Sequence, residues 1–157
     1  MAKIRTIRSG AQTGVDRGAL DAARSLGVPI CGWCPKGGLA EDYPDPPGLL
    51  LLYPELEETP TNDYRERTAW NVRDSDATLI LFPRELKTSI GTELTIELAL
   101  EYEKPHLVLD APDVDLALAW LETLKDNLDL NVAGPRLSNY ASIDDMAFNL
   151  MSEILKA

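Results

Sequence analysis

What most constrains the fold of this chain is the order in which two hydrophobic periodicities alternate along it. Short apolar runs of strand character are each followed by a segment whose apolar residues recur at helical spacing. Ile4–Arg8 reads as a strand ending in the turn Ser9-Gly10, and Asp16–Leu26 as a helix with Ala19, Leu20, Ala23 and Leu26 inward, stopped by Gly27. Val28–Trp33 is a second strand. A helix capped by Thr61 or Asp63 runs to about Asp74, followed by the strongly apolar strand Ala77–Phe82. Gly91–Tyr102 is helical, with Leu94, Leu98 and Ala99 on one face, and Pro105–Leu109 is a strand. Val114–Asn127 is a helix with Leu116, Ala119, Trp120 and Leu124 inward, Leu130–Ala133 the last strand and Asp144–Leu155 the closing helix. Strands separated by helices require right-handed crossovers, so the expected fold is a three-layer α/β/α arrangement with a mainly parallel sheet.

The 157 residues suit one domain over 1–157, with no repeat or low-complexity tract. No apolar run, Leu49–Tyr53 included, approaches the length of a membrane span. Met1–Ser9 mixes Lys3, Arg5 and Arg8 with single apolar residues and lacks a signal peptide's apolar core, so a cytoplasmic protein is expected. A net charge of −11 opposes general binding to nucleic acid or anionic membrane, but leaves room for a local positive pocket around a small anion. Cys31 and Cys34 form a C-x-x-C, yet the second pair that a zinc site needs is missing, and Pro35-Lys36-Gly37-Gly38 follows where a redox motif needs a helix. Two free thiols and no metal site are expected. The long connection 34–62 is an edge covering, a lid or a dimer contact, and the apolar Leu49–Tyr53 run within it hints at a homo-oligomer.

In an open parallel sheet, ligands bind beyond the carboxyl ends of the strands. Three turns there are rich in small and polar residues. The first, Ser9–Arg17, offers the glycines Gly10 and Gly14, the polar groups of Ser9, Gln12 and Thr13, and the charges of Asp16 and Arg17. It is neither a G-x-G-x-x-G nor a Walker A loop. Asp16 is also placed to cap the helix, and Arg17 to pair with Asp21. The second turn, Thr88–Thr92, places Gly91 and Thr92 at a helix start, where free amides favour an oxyanion, with Thr95 and Glu97 further along. The third, Asn131–Asn139, supplies Gly134 and Arg136. Lys36 sits in a flexible basic loop, and Arg67 and Asn71 lie four apart on one helix face.

The segments SGAQTGVDRGALDAA (Ser9–Ala23), GWCPKGGLAED (Gly32–Asp42), RTAWNVRDSDATLIL (Arg67–Leu81), GTELTIELA (Gly91–Ala99) and NVAGPR (Asn131–Arg136) resemble, in order and over nearly the whole chain, the "putative molybdenum carrier" family. That family belongs to a Rossmann-like superfamily which also holds the lonely-guy phosphoribohydrolases and a DNA-processing protein. The resemblance implies a Rossmann-like fold and, as ligand, molybdenum cofactor (molybdopterin) or a nucleotide. It also marks departures. Of the phosphoribohydrolase motif P-G-G-x-G-T-x-x-E only Gly91-Thr92 remain, and Thr95 stands where that motif has glutamate, so Asp16 or Glu97 would have to serve instead. Ala11 stands where the family often has a second glycine, and Tyr43-Pro44 follow Glu41-Asp42.

Taken together, these features lead to a binding or carrier protein for a phosphorylated small molecule, with a phosphoribohydrolase-like enzyme or a nucleotide-sensing module as alternatives. All depend on the first two turns meeting in one pocket.

Overall fold

The computed structural model describes residues 3–87 and 89–157; Met1, Ala2 and Thr88 of the second turn lie outside the described residues. The elements are β1 (Ile4–Arg8), α1 (Val15–Ser25), β2 (Ile30–Cys31), β3 (Trp33–Cys34), α2 (Leu49–Leu52), β4 (Glu57–Glu58), α3 (Tyr64–Arg73), β5 (Ala77–Leu81), α4 (Ile90–Glu101), β6 (His106–Leu109), α5 (Val114–Glu122), β7 (Leu128–Ala133) and α6 (Ile143–Lys156). Five strands form one sheet in the order β2-β1-β7-β5-β6, and every pairing is parallel. The strand last in the chain thus lies at the centre, with β1 and β5 on either side. This is the three-layer α/β architecture expected of the alternation.

The two faces of the sheet differ in chemistry. Leu79 and Leu81 of β5 and Leu128, Leu130 and Val132 of β7 join one apolar core with α1, α5 and α6. Leu20 of α1, fully buried there, is the kind of side chain whose burial contributes about 2 kcal/mol. Because strand side chains alternate, their neighbours along each strand point the other way. These are Thr78 and Ile80 of β5 and Asp129 and Asn131 of β7, all buried and, Ile80 apart, polar. Asp129 holds Arg8 at 3.2 Å, and the Asn131 amide donates to the Thr78 hydroxyl at 3.3 Å. Helices α3 and α4 cover this polar face and pack on each other through the small cluster Val72, Leu98 and Ala99.

Three local expectations are corrected. The strand over Val28–Trp33 is two short strands in different sheets, broken at Gly32. A side chain at Gly32 would meet the Ser9 carbonyl at 1.9 Å, so β1 and this segment approach more closely than any other residue permits. Beyond it the Asn71 amide replaces a strand neighbour, accepting from the Trp33 amide at 2.8 Å and donating to its carbonyl at 2.9 Å. Trp33–Cys34 then pairs in parallel with β4, a ladder the periodicity did not disclose. The helix over Val114–Asn127 stops at Glu122, where the Thr123 hydroxyl bonds the Trp120 carbonyl at 2.6 Å. It is also rotated: Leu116 and Ala119 are exposed, while Ala117 and Leu121 are buried one turn apart, the small Ala117 letting the helix sit close to its neighbours. Finally, Arg17 pairs with Asp42 at 2.6 Å rather than with Asp21, which instead accepts from the Tyr53 hydroxyl at 2.7 Å.

The connection 34–62 is an edge covering stitched to the first turn. The Arg17 guanidinium bridges the Ala11 carbonyl and Asp42. The Gln12 side-chain oxygen accepts from the amides of Thr13 and Glu41, and the Thr13 hydroxyl donates to the Glu41 carboxylate. Within this covering the apolar run is a single helical turn. Leu49 and Tyr53 are buried, while Leu51 and Leu52 are exposed.

Gly14 anchors the start of α1. Its φ is +88°, and a side chain there would meet the Pro135 carbonyl at 2.2 Å. Gly14→Ala is therefore expected to destabilise by roughly 3 kcal/mol, through left-handed strain and collision with rigid backbone. For a domain of this size that lowers Tm by about 6–12 °C. Thermal unfolding followed by circular dichroism checks it; an unchanged Tm would contradict this account of the turn.

Candidate functional site

A cavity of about 760 Å³ opens at the carboxyl ends of β1, β5 and β7, on the side of the sheet that carries Asn131. All three glycine-bearing turns reach it: Gly10, Gln12 and Asp16 from the first, Ser89, Gly91 and Thr92 from the second, and Gly134, Arg136, Ser138 and Asn139 from the third. Helix α3 forms a further wall with Tyr64, Arg67, Thr68 and Asn71. The volume falls in the range of pockets that enclose a cofactor-sized molecule.

Of the residues assigned to the site from sequence, ten border this cavity: Gly10, Gln12, Asp16, Arg67, Asn71, Gly91, Thr92, Thr95, Gly134 and Arg136. The structure does not bring the other six there. Ser9 lies beneath the turn, its hydroxyl donating to the Asp16 carbonyl at 2.9 Å and accepting from the Ala11 amide at 3.0 Å. Thr13, Gly14 and Arg17 line a separate pocket of about 160 Å³. Lys36 is exposed on the edge covering, and Glu97 is exposed on α4. Among the ten, Asn71 spends its amide on the Trp33 main chain, and the Thr95 hydroxyl donates to the Gly91 carbonyl at 2.8 Å. Sequence reasoning missed the apolar wall formed by Phe82 and Leu86 with Ile80. Phe82 was readable as the last residue of a buried strand, but nothing local marks Leu86.

The charges in the cavity are few and of mixed sign. Arg67, Arg136 and Asp16 are its charged lining residues. With Asp16 ionised the lining carries one net positive charge, inside a chain whose total is −11. Arg67 is only 7% exposed, yet among the described residues it makes no ion pair; it donates to the carbonyls of Gly10 at 3.2 Å and Tyr64 at 3.4 Å. Its guanidinium has five N–H donors. No buried side-chain nitrogen among the described residues lacks a partner, so the donors left over are open to the cavity. Gly10 makes this possible, because a side chain there would sit 2.5 Å from the Arg67 Cδ. Burial lowers the Arg67 pKa, Asp16 offsets that in part, and the group stays a cation at neutral pH.

Asp16 sits partly buried in the first turn of α1, at the wall of the cavity. Burial pushes it up to about 6, against the opposing pull of Arg67, a main-chain hydrogen bond from Gln12, Arg17 and Arg136. The site thus keeps a carboxylate that is costly to ionise. At the helix start of α4, Ser89 caps the Thr92 amide at 3.3 Å, so the positive end of the helix faces the cavity. The thiols play a different part. Burial pushes Cys31 and Cys34 up to about 11, which keeps both protonated at neutral pH.

A doubly covered parallel sheet with its cavity at the strand ends defines a Rossmann-like α/β protein. More particularly, the chain belongs to the circularly permutated YpsA SLOG family, which it matches over residues 7–155. It is also similar to a solved structure from Syntrophus aciditrophicus SB described as a "putative molybdenum carrier protein". The two share 39% identity, the match covers 99% of this chain and 97% of that one, and the TM-score is 0.85. No curated protein matches the chain.

Because the folded-state pKa of Asp16 lies above its ordinary value of 3.8, ionising it costs the folded state. That cost is absent below about pH 4, grows towards pH 6 and is constant above, at roughly 2–3 kcal/mol. Asp16→Asn should therefore be more stable than wild type at pH 7.5 by about 1–3 kcal/mol, with the gain vanishing near pH 4. Urea unfolding across this pH range tests it. A variant destabilised equally at every pH would show that Asp16 does not carry this cost.

Proposed function

We propose that the protein binds and carries a phosphorylated small molecule in the cavity at the strand ends. The observation that carries this reading is the buried Arg67, which makes no ion pair among the described residues and opens into the same cavity as Arg136 and the first turn of α4. Two guanidinium forks and a helix N-terminus are a donor set for phosphate oxygens. The apolar wall around Phe82 and Leu86 suits a flat ring attached to that phosphate. Molybdenum cofactor, a pterin bearing a phosphate, fits this division. As cargo it needs no metal ligand from the protein, and the relative described as a molybdenum carrier supports it as the first ligand to try. Nucleoside monophosphates share the same two parts.

A second reading rests on Asp16. A carboxyl group titrating near 6 inside the cavity is suited to general acid work on an N-glycosidic bond. Exposed Glu97 is not.

Isothermal titration with phosphorylated pterins and nucleoside monophosphates tests the binding reading. Saturable heat with at least one class is expected, and Arg67→Ala should weaken affinity at least about tenfold, since a charge-assisted contact to an anion is worth roughly 1.5–3 kcal/mol. No binding of either class by folded protein would overturn it. Release of free base from a nucleoside monophosphate, abolished by Asp16→Asn, would favour the hydrolase.

A further inference from the structure

Asp16 raises a question of charge balance that occupancy of the cavity must answer. Its carboxyl borders the same cavity as Arg67 and Arg136, yet among the described residues it makes no ion pair. The charges that face it are Arg67 from α3, Arg136 from the turn between β7 and α6, and Arg17 from its own helix. Arg17 is already neutralised by Asp42 at 2.6 Å, and Arg136 also feels Glu41. Tyr64 is the other titratable group lining the cavity. Among the described lining residues Asp16 is the one anion set against the two arginines. An incoming phosphate brings a second, larger negative charge to the same cations and shuts solvent out of the space between them. Leaving Asp16 ionised would then place like charges together in a poorly solvated space, which strongly favours protonating one of them.

We propose that Asp16 acts as an exchangeable counter-ion, taking up one proton as an oxyanion enters, so that the site binds dianions together with a proton. The inference rests on the binding reading above. It makes Asp16 a selector: the cavity takes its ligand as the dianion–proton pair, and affinity falls as solution becomes more alkaline. Titration of the free carboxyl near 6 places the effect in the physiological range. Above that value each pH unit weakens dianion binding up to about tenfold, until the solution pH exceeds the pKa of Asp16 in the complex.

Sulfate is a suitable first probe because its charge is constant over this range, and adenosine monophosphate is a second probe carrying a ring. Two measurements on the wild-type protein are needed. One is Kd for each probe between pH 5.5 and 8, and the other is binding enthalpy at pH 7 in buffers of different ionisation enthalpy, whose slope counts protons. Sulfate affinity should fall at least about tenfold between pH 6 and 8, with close to one proton taken up at pH 7. Asp16→Asn should remove both the slope and the pH dependence while keeping or improving affinity at pH 8. Binding with a flat pH profile and no proton uptake overturns the counter-ion role and leaves the binding reading standing. The counter-ion role is equally overturned if Asp16→Asn keeps the wild-type proton slope. Failure of both probes, and of phosphorylated pterins, to bind at any pH overturns both.

Discussion

A buried guanidinium with no ion pair among the described residues is the constraint around which the rest of this cavity is arranged. Arg67 enters the interior from α3 and is held by main-chain carbonyls of Gly10 and Tyr64. Desolvating a cation is costly, and an unpaired one is tolerated only where its remaining donors meet something polar. Here they open on the cavity. The first turn must pass close enough to offer its carbonyl, and a side chain at Gly10 would push the Arg67 guanidinium out of this position. Asp16 borders the same cavity and feels the same charge, which offsets only part of the cost that burial puts on its ionisation. A removable aspartate and an irremovable arginine share one space.

The turn itself has no regular structure to hold it, and the long connection after β3 does that work. Glu41 and Asp42 meet Gln12, Thr13 and Arg17. Leu137, from the turn after β7, adds its amide to the Thr13 hydroxyl at 3.1 Å. Three separate stretches of chain thereby fix one another. Arg17 belongs to this scaffold, because both ends of its guanidinium are occupied. Its charge is spent on position.

The layered fold was legible because buried parallel strands and amphipathic helices announce themselves by period, and ten of the residues picked for the site do border one cavity. What stayed hidden was non-local. Nothing in Arg17 itself reveals Asp42 as its partner 25 residues on. The break at Gly32 depends on how near β1 passes, and the rotation of α5 depends on which neighbour can accept Ala117 rather than Leu116. The family resemblance located the matching segments without saying which side chains face the cavity and which brace it. Lys36 and Glu97 sit within those segments and point to solvent.

The unlike faces of the central sheet carry a consequence for how such a molecule can change. Leu79, Leu130 and Val132 join the core with α1, α5 and α6, whereas Thr78, Asp129 and Asn131 lie on the other face, Asn131 at the cavity. Apolar cohesion and cavity lining thus fall largely on alternate residues of the same strands. An exchange at Asn131 alters the lining and leaves the Thr78 hydroxyl without that partner, while Leu130 beside it stays in the apolar core. The lining is therefore open to change from one face of the sheet, at the cost of a buried hydrogen bond and not of the core.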